Sequence, residues 1–280
     1  MTTASAVPGQ IAQLILPLRD DPRSSAVLCD VDGTLAPIVA DPGDARVPKE
    51  TREALRALAR RFALVACVSG RRAAEARWLV GVEELTYAGN HGLELLEPGA
   101  EEPEIDPLIA DRARAAQGFV GDLDAAILSG AGLRLENKGP IQALHWRTAA
   151  DPDAAERAAR EIAADAEAAG LVPHWGRRVL EIRPTGEVHK GTAVRRLVAS
   201  VRVDQALFAG DDRTDLDAFA ALRAMAAEGS LRLAVCIGIS SEEAPPGLTQ
   251  GADGTVGGPE GFRDVLRSLA DPTAKAAGAA

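Results

Sequence analysis

Short apolar runs, each followed by a turn containing Gly or Asp, recur along this 280-residue chain. Five such runs occupy residues 26–29, 62–68, 85–88, 206–209 and 233–237. Runs this short are typical of strands buried on both faces of a parallel sheet. Helical patterns lie between them, at residues 49–61, 72–79 and 192–201. We therefore predict an α/β fold whose core is a doubly wound, Rossmann-like parallel sheet.

The segment from residue 108 to residue 183 has a different pattern. Its predicted elements are, in order, a helix at 109–128, strands at 132–136 and 141–147, a helix at 154–168, and strands at 171–175 and 178–183. Helices that alternate with hairpins predict an α+β unit with an antiparallel sheet. We interpret residues 108–183 as an inserted cap domain, and residues 1–107 and 184–280 as the core domain.

The formal net charge of -10 limits the classes of partner. It argues against binding to nucleic acid or to anionic lipid, both of which attract basic surfaces. The apolar stretch at residues 11–18 is too short to span a bilayer and lacks the basic flank of a signal peptide. The three cysteines form no Cys-x-x-Cys pair, so we expect buried reduced thiols. We predict a cytoplasmic monomer that acts on a small molecule, without a nucleic-acid or membrane partner.

Polar clusters follow several of the apolar runs: DVDGT at 30–34, SGRR at 69–72, GNHG at 89–92 and GDDRTD at 210–215. The carboxyl ends of parallel strands meet at one edge of a sheet, where ligands bind. Asp30 and Asp32 would project to the same side of an extended chain and repel each other unless a cation or a shared proton intervenes. An ordinary Asp-Gly turn is the alternative explanation.

These residue types suit attack on a phosphate ester. Asp30, a backbone carbonyl and an acid from residues 210–212 would hold Mg²⁺, which prefers oxygen ligands and reduces repulsion between the carboxylate and the ester. Lys190, at the predicted start of a helix, and Ser69 would contact the phosphoryl oxygens. Asp32 would protonate the departing oxygen and later accept a proton from water.

The motifs DVDGTL at 30–35, SGR at 69–71, Lys190 and GDD at 210–212 resemble, in order, the four motifs of the haloacid dehalogenase superfamily of phosphotransferases. Four longer strings resemble the trehalose-6-phosphate phosphatase family more specifically: AGNHGLE at 88–94, LENKGPIQALHWR at 135–147, LEIRP at 180–184 and GDDRTDLDAF at 210–219. The similarity extends from residue 27 to residue 219 and includes the predicted cap.

The resemblance implies an Mg²⁺-dependent phosphatase of trehalose biosynthesis, which converts trehalose 6-phosphate to trehalose and phosphate through an aspartyl-phosphate intermediate. It implies that Asp30 is the nucleophile and a metal ligand, and that Asp32 is the general acid/base and gives its backbone carbonyl to the metal. The other implied metal-site residues are Asp211, Asp212 and Asp215. The phosphoryl group would be held by Ser69 and Lys190. The implied substrate-binding residues are Gly70, Arg71, Asn90 and His91 in the core, and Glu136, Lys138, His145, Arg147 and Glu181 in the cap.

Two alternatives remain open at this point. The chain could be a phosphatase for another glycosyl phosphate, such as sucrose phosphate or a glycosyl phosphoglycerate, because the core motifs address only phosphate and metal. The second alternative is a sensor that binds a sugar phosphate without turnover. Its motivation is Leu216, which stands at a position where the family commonly has Glu. The family frequently has Asn or Asp at the position of His189.

Several neighbouring residues also have structural interpretations. Thr214 and Asp217 have the spacing of a helix capping box. We place Arg72 on a solvated helix face, and we assign structural roles to His174 and Trp175.

Overall fold

The structure is a computed structural model that describes residues 7–39, 44–105, 107, 109–176, 178–186, 188–241 and 244–271. The chain forms two compact units. The first comprises Met1–Pro103 and Val188–Ala280, and the second comprises Glu104–Glu187. Residue 108, at which the sequence predicts that the insert begins, lies outside the described residues.

The helices and strands follow one another in three blocks. The first unit begins with α1 (Gly9–Asp20), β1 (Ser25–Cys29), α2 (Lys49–Ala59), β2 (Leu64–Val68), α3 (Ala73–Val80), β3 (Thr86–Gly89) and β4 (Glu94–Leu96). The second unit contains β5 (Glu104–Ile105), α4 (Ala110–Gly121), α5 (Ala125–Gly130), β6 (Arg134–Lys138), β7 (Ile141–His145), α6 (Pro152–Ala168), β8 (Val172–Gly176) and β9 (Val179–Arg183). The first unit resumes with α7 (Lys190–Ala199), β10 (Gln205–Gly210), α8 (Asp215–Ala227), β11 (Leu233–Ser240), α9 (Pro246–Gly251), β12 (Gly254–Gly257) and α10 (Gly258–Ala270).

The first unit is built on a sheet in which the strand order is β12-β11-β10-β1-β2-β3-β4. Adjacent strands from β12 to β3 pair in parallel, and β4 pairs antiparallel to β3. The predicted α/β fold class is confirmed. The antiparallel strand β4 is a departure from an all-parallel sheet, because β3 turns back directly through residues 90–93 instead of crossing over through a helix.

Side-chain alternation along the central strand divides the core into two layers. Val27 and Cys29 belong to an apolar cluster that includes residues of α1, α2 and α10. Ala26 and Leu28 belong to the opposite cluster, which includes residues of α7 and α8. The sheet is therefore covered by helices on both faces, which is why β1 is buried at every position.

The strand order reverses direction between β1 and β10. From β1 the chain continues through β2 to β3 on one side, and after the second unit it returns to β10 and continues through β11 to β12 on the other. The crevice at such a switch point, beyond the carboxyl ends of the strands, is where open α/β sheets bind ligands. Asp30 follows β1 directly, and Asp211 follows β10 directly.

The second unit has a four-stranded antiparallel sheet with the order β6-β7-β9-β8. Leu144, Leu180 and Ile182 from this sheet pack in one apolar cluster with Ala116 of α4 and Ala159 of α6. Helices therefore cover one face of the sheet, as the α+β pattern predicts.

The prediction of a single helix at 109–128 is wrong, because the structure has two helices in this region, α4 and α5. Asp124 separates them: its side chain accepts a hydrogen bond of 2.7 Å from Ala126 N and so begins α5 as an N-cap. Elements that the sequence patterns did not indicate include α1, α10 and β12. Within the described ranges, no helix has the length and the apolar content needed to cross a bilayer.

Candidate active site

The two acids that follow β1 take different partners. Strand β1 ends at Cys29, and Asp30, which is 4% exposed, places its Oδ1 atom 2.8 Å from Lys190 Nζ. The Asp32 carboxylate accepts two hydrogen bonds from Arg71, of 2.7 Å from Nε and 2.7 Å from Nη2. Each acid thus pairs with its own cation, so cations relieve the repulsion between the two carboxylates, which is one of the two arrangements that the sequence predicts.

Lys190 is the first residue of α7 and lies among acidic groups. Its Nζ atom is 2.8 Å from Asp30 Oδ1 and 2.8 Å from Asp215 Oδ1. Burial alone would lower the pKa of Lys190, but these carboxylates, together with Asp212, raise it above its usual value. The side chain is therefore an ammonium held at the carboxyl edge of the sheet.

Asp30, Asp211 and Asp215 form a buried acidic cluster in which one carboxylate oxygen of each lies within 4.8 Å of the others. Burial raises the pKa of Asp30 more than Lys190 lowers it. Burial, followed by the charge of Asp30, raises the pKa of Asp211 to about 7. Burial also raises the pKa of Asp215. An excess of buried carboxylate oxygens is the donor set that Mg²⁺ prefers, so these residues fit a divalent metal.

Asp215 and Asp212 organise the loop between β10 and α8. Asp215 Oδ2 accepts hydrogen bonds from the backbone amides of Asp211 at 2.9 Å and Asp212 at 3.0 Å. Asp212 Oδ1 accepts from Thr214 N at 2.8 Å and from Asp215 N at 3.2 Å. The predicted capping role of Thr214 with Asp217 is wrong, because the Thr214 side chain makes no capping hydrogen bond and bonds to Asp212 instead.

The pKa of Asp212 is lowered, whereas the pKa values of the buried cluster are raised. Partial burial favours its neutral form, but the Lys190 ammonium at 3.8 Å and the hydrogen bonds from Thr214 and Asp215 lower the pKa of Asp212. Its side chain is half exposed. The structure therefore places Asp212 beside the cluster with its carboxylate turned toward the loop.

Two residues of the loop after β1 approach Asp211, and neither is among the site residues that the sequence predicts. Thr34 Oγ1 donates a hydrogen bond of 3.0 Å to Asp211 Oδ1. Gly33 has a positive φ of 79°, and a Cβ at this position would lie 2.0 Å from Asp211 Oδ2. Glycine is thus required both by the turn and by the approach of the Asp211 carboxylate. The DGT sequence was the available signal for these contacts.

The loop after β2 and the turn after β3 lie against each other. His91 N donates a hydrogen bond of 2.9 Å to Ser69 O, and Asn90 N donates one of 2.7 Å to Arg71 O. Arg71 N donates to Ser69 Oγ at 3.1 Å. A Cβ at Gly70 would lie 2.9 Å from His91 Cε1. The structure thus brings together the residues predicted in these two segments.

In the second unit, four of the polar residues predicted to bind sugar lie in one sheet: Glu136, Lys138, His145 and Glu181. Glu136, Ala143 and Glu181 are opposite one another across β6, β7 and β9. Glu136 Oε2 lies 2.6 Å from His145 Nε2, and Lys138 Nζ donates to Glu181 Oε1 at 3.1 Å.

Glu181 is held on both of its carboxylate oxygens. Arg183 donates to Glu181 Oε2 at 3.0 Å from Nε and at 2.5 Å from Nη2. Burial opposes ionisation, but Arg183 and Lys138 together lower the pKa of Glu181. Arg147 is exposed beyond the end of β7 and makes no hydrogen bond or ion pair with other described residues.

The two departures from the family pattern have structural explanations. Leu216 packs against the apolar cluster that contains Phe219 and Leu248, and its Cδ2 atom lies 2.8 Å from where a Cβ of Gly251 in α9 would be. His189 is the N-cap of α7, and its Nδ1 atom accepts a hydrogen bond of 3.2 Å from Gly191 N. Leu216 is thus a packing residue.

Comparison with known proteins identifies the family of the chain. A sequence model of the trehalose-phosphatase family matches residues 28–244. Probable trehalose-phosphate phosphatase 9 of Oryza sativa subsp. japonica is 34% identical over 224 residues, which cover 71% of this chain and 59% of that protein. The trehalose-phosphate phosphatase of Mycobacterium avium (strain 104) is 36% identical over 212 residues, covering 74% of this chain and 54% of that protein. The chain thus matches little more than half of the length of these relatives.

Solved structures share the fold. The structure of Aspergillus fumigatus trehalose-6-phosphate phosphatase aligns with a TM-score of 0.61 and 24% sequence identity, over 95% of this chain and 98% of that chain.

Proposed function

Because the chain belongs to the trehalose-phosphatase family, we propose that it hydrolyses trehalose 6-phosphate to trehalose and phosphate through an aspartyl-phosphate intermediate. The observation that carries this proposal is the buried cluster of Asp30, Asp211 and Asp215, with Lys190 paired to Asp30 and Asp215 at its edge. A nucleophilic carboxylate, oxygen ligands for a cation and a fixed ammonium are the groups that transfer of a phosphoryl group to an aspartate requires.

Mg²⁺ is the proposed cofactor. Asp30 and Asp211 would hold it together with the backbone carbonyl of Asp32, and Asp212 and Asp215 would support the loop that carries Asp211. When bound, the metal would neutralise negative charge shared between the substrate phosphate and these carboxylates.

The proposed reaction has two steps. In the first, an Asp30 carboxylate oxygen forms a bond to phosphorus, the bond from phosphorus to the sugar oxygen breaks, and Asp32 gives a proton to that oxygen. In the second, Asp32 takes a proton from water, which attacks the phosphorus and releases inorganic phosphate from Asp30. Lys190 and Ser69 hold the phosphoryl oxygens throughout.

The Arg71–Asp32 pair sets a condition on this reaction. The guanidinium donates to both oxygens of the Asp32 carboxylate, so neither oxygen is free to face the sugar oxygen while this bidentate pair is in place. We infer that Arg71 first leaves Asp32 and moves to the substrate. Asp32 can then be protonated and act as the acid. Asn90 and His91, in the turn bonded to the Arg71 loop, are proposed to bind the substrate with Gly70.

The sugar is proposed to be recognised by Glu136, Lys138, His145, Arg147 and Glu181 of the second unit. Charged and polar side chains are suited to hydrogen bonding with the many hydroxyl groups of a disaccharide. The carboxylate of Glu181 is a fixed acceptor because Arg183 and Lys138 hold both its oxygens.

Release of inorganic phosphate from trehalose 6-phosphate, measured with and without Mg²⁺, tests the proposal. We expect metal-dependent turnover in the wild type and a loss of about 10⁴-fold or more in Asp30→Asn, because removing a nucleophile removes the covalent route. The variant should retain the circular dichroism spectrum of the wild type. Phosphate release by Asp30→Asn at the wild-type rate would exclude the mechanism.

A panel that also contains sucrose phosphate and a glycosyl phosphoglycerate tests the choice of sugar. The ratios of kcat/KM report discrimination between substrates directly. We expect trehalose 6-phosphate to give the highest value, and a clear preference for another ester would replace the proposed substrate.

A further inference from the structure

Glu94 is a buried acid outside the cluster described above. It is the first residue of β4 and is 2% exposed. It ends the AGNHGLE string at residues 88–94, but neither the proposed metal site nor the proposed reaction uses it. A buried carboxylate requires hydrogen-bond partners, and the identity of these partners indicates what it does.

The first partner of Glu94 is the beginning of α3. Its Oε2 atom accepts a hydrogen bond of 3.0 Å from Ala73 N, the first amide of the helix. The N-cap residue of α3, Arg72, provides no capping hydrogen bond from its own side chain. Glu94, which lies on a strand, thus satisfies a helix amide that has no capping partner within α3.

The second partner is the turn after β3. The side chain of Asn90 hydrogen-bonds to Glu94, and Asn90 is almost fully buried. Asn90 and His91 have positive φ angles of 49° and 60°. Such left-handed conformations are unfavourable for residues other than glycine and persist only where the surroundings hold them.

The third partner is Arg72, which the sequence predicts on a solvated helix face. Arg72 is the N-cap of α3 and its side chain is 37% exposed, but its Nε atom is buried and lies 3.7 Å from Glu94 Oε1. A Cβ at Gly89 would lie 2.1 Å from Ala73 N. The end of β3, the start of α3 and the Glu94 carboxylate are therefore packed closely together.

From these contacts we propose that Glu94 is a positioning residue for the substrate-binding segments of the first unit. Its carboxylate holds the start of α3 and the turn of Asn90. The loop that leads from β2 into α3 contains Ser69 and Arg71, and the turn contains His91. This role rests on the proposed function, because that function assigns those residues to the substrate. Glu94 itself lies behind them and acts through its hydrogen bonds.

Three variants test the role. Glu94→Gln retains an oxygen that accepts from Ala73 N, whereas Glu94→Met has a side chain of similar length without an acceptor. Glu97→Met is the matched control, because Glu97 follows β4 and is exposed. We expect Glu94→Met to raise KM about 10- to 100-fold, the range found when groups that orient a binding site are lost. Glu94→Gln and Glu97→Met should stay within about threefold of wild type.

The split between KM and kcat distinguishes positioning from general stability. Partial unfolding lowers the active fraction, and thus the apparent kcat, without changing KM. If Glu94→Met does not fold, Glu94→Asp tests the positioning role instead, because its side chain is one methylene shorter and moves the carboxylate away from Ala73 N. An unchanged KM in the folded variant, or equal losses in Glu94→Gln and Glu94→Met, would overturn the inference.

Equilibrium binding of inorganic phosphate in the presence of Mg²⁺ separates this inference from the proposed function. If the wild type does not hydrolyse trehalose 6-phosphate, the proposed function fails. Weaker phosphate binding by Glu94→Met than by Glu94→Gln would still support the positioning role, and equal binding by both would contradict it.

Discussion

At the scale of residues, the charge balance of the acidic cluster determines what the site can bind. Lys190 pairs with Asp30 and Asp215, whereas Asp211 has a hydroxyl partner, Thr34. Burial and the neighbouring Asp30 raise the pKa of Asp211 to about 7. Below about pH 7 the metal-free cluster thus relieves its excess negative charge by binding a proton at Asp211, and a divalent cation would replace that proton.

The raised pKa of Asp211 predicts that Mg²⁺ binding depends on pH. Mg²⁺ binds the deprotonated carboxylate, so its affinity should fall as the pH drops below about 7, by up to about tenfold per pH unit for one displaced proton. Titration calorimetry at pH 6, 7 and 8, in buffers with different ionisation enthalpies, measures both the affinity and the protons released. Equal affinity at pH 6 and pH 8 would contradict this prediction.

The raised pKa of Asp211 also determines how the free energy of unfolding of the metal-free protein changes with pH. Asp211 binds a proton more tightly in the folded state than in the unfolded state, whose pKa is near 3.8. Its contribution to the free energy of unfolding is therefore largest below pH 3.8 and is lost as the pH rises toward 7. Added Mg²⁺ should restore stability at the upper end of this window.

At the scale of elements, the first turn of α7 illustrates how a helix start places a functional group. His189 Nδ1 accepts from Gly191 N at 3.2 Å, and Thr192 Oγ1 accepts from His189 N at 3.1 Å. This reciprocal capping holds the turn that contains Lys190. Histidine does here what Asn or Asp ordinarily does at an N-cap.

Substitution of His189 tests this capping role. His189→Leu should lower the free energy of unfolding by about 1 kcal/mol, the usual effect of losing an N-cap acceptor. His189→Asn should leave it unchanged or raise it slightly, because the amide oxygen accepts the same hydrogen bond. Urea denaturation measures both variants. A loss in His189→Asn as large as that in His189→Leu would show that the imidazole stabilises the protein by another contact.

Among the elements, the buried strands were the most predictable from the sequence. The runs at 26–29 and 206–209 lie within the observed strands Ser25–Cys29 and Gln205–Gly210, because burial on both faces leaves a continuous apolar signature. The helix predicted at 109–128 failed because an Asp side chain capped a new helix inside a periodic pattern. Hydrophobic periodicity does not report such a local hydrogen bond.

At the scale of the whole molecule, the chain has separate apolar cores in its two units. The cluster of the second unit contains Leu180 and Trp146, and the acidic cluster belongs entirely to the first unit. Each unit thus buries its own apolar residues, which is the requirement for independent stability.

Truncation of Leu180 tests whether the apolar core of the second unit is separate from that of the first. Leu180 is fully buried in β9, so Leu180→Ala should destabilise the second unit by about 2–5 kcal/mol. Hydrogen exchange should then accelerate in residues 104–187, while Mg²⁺ affinity stays at the wild-type value. Leu135→Ala is the control, because Leu135 is 41% exposed in β6. A large loss of Mg²⁺ affinity in Leu180→Ala would contradict the prediction.

The sequence by itself determined the parallel sheet and the polar residues at its carboxyl edge, because burial and strand ends are encoded by neighbours along the chain. Asp30, Ser69, Asn90 and Asp211 all follow strands. Only the tertiary structure decided their partners. Thr34 and Asp211 are 177 positions apart. Glu94, which lies in β4, accepts a hydrogen bond from the first amide of α3. Contacts between distant segments depend on how the elements pack, and no local pattern records that packing.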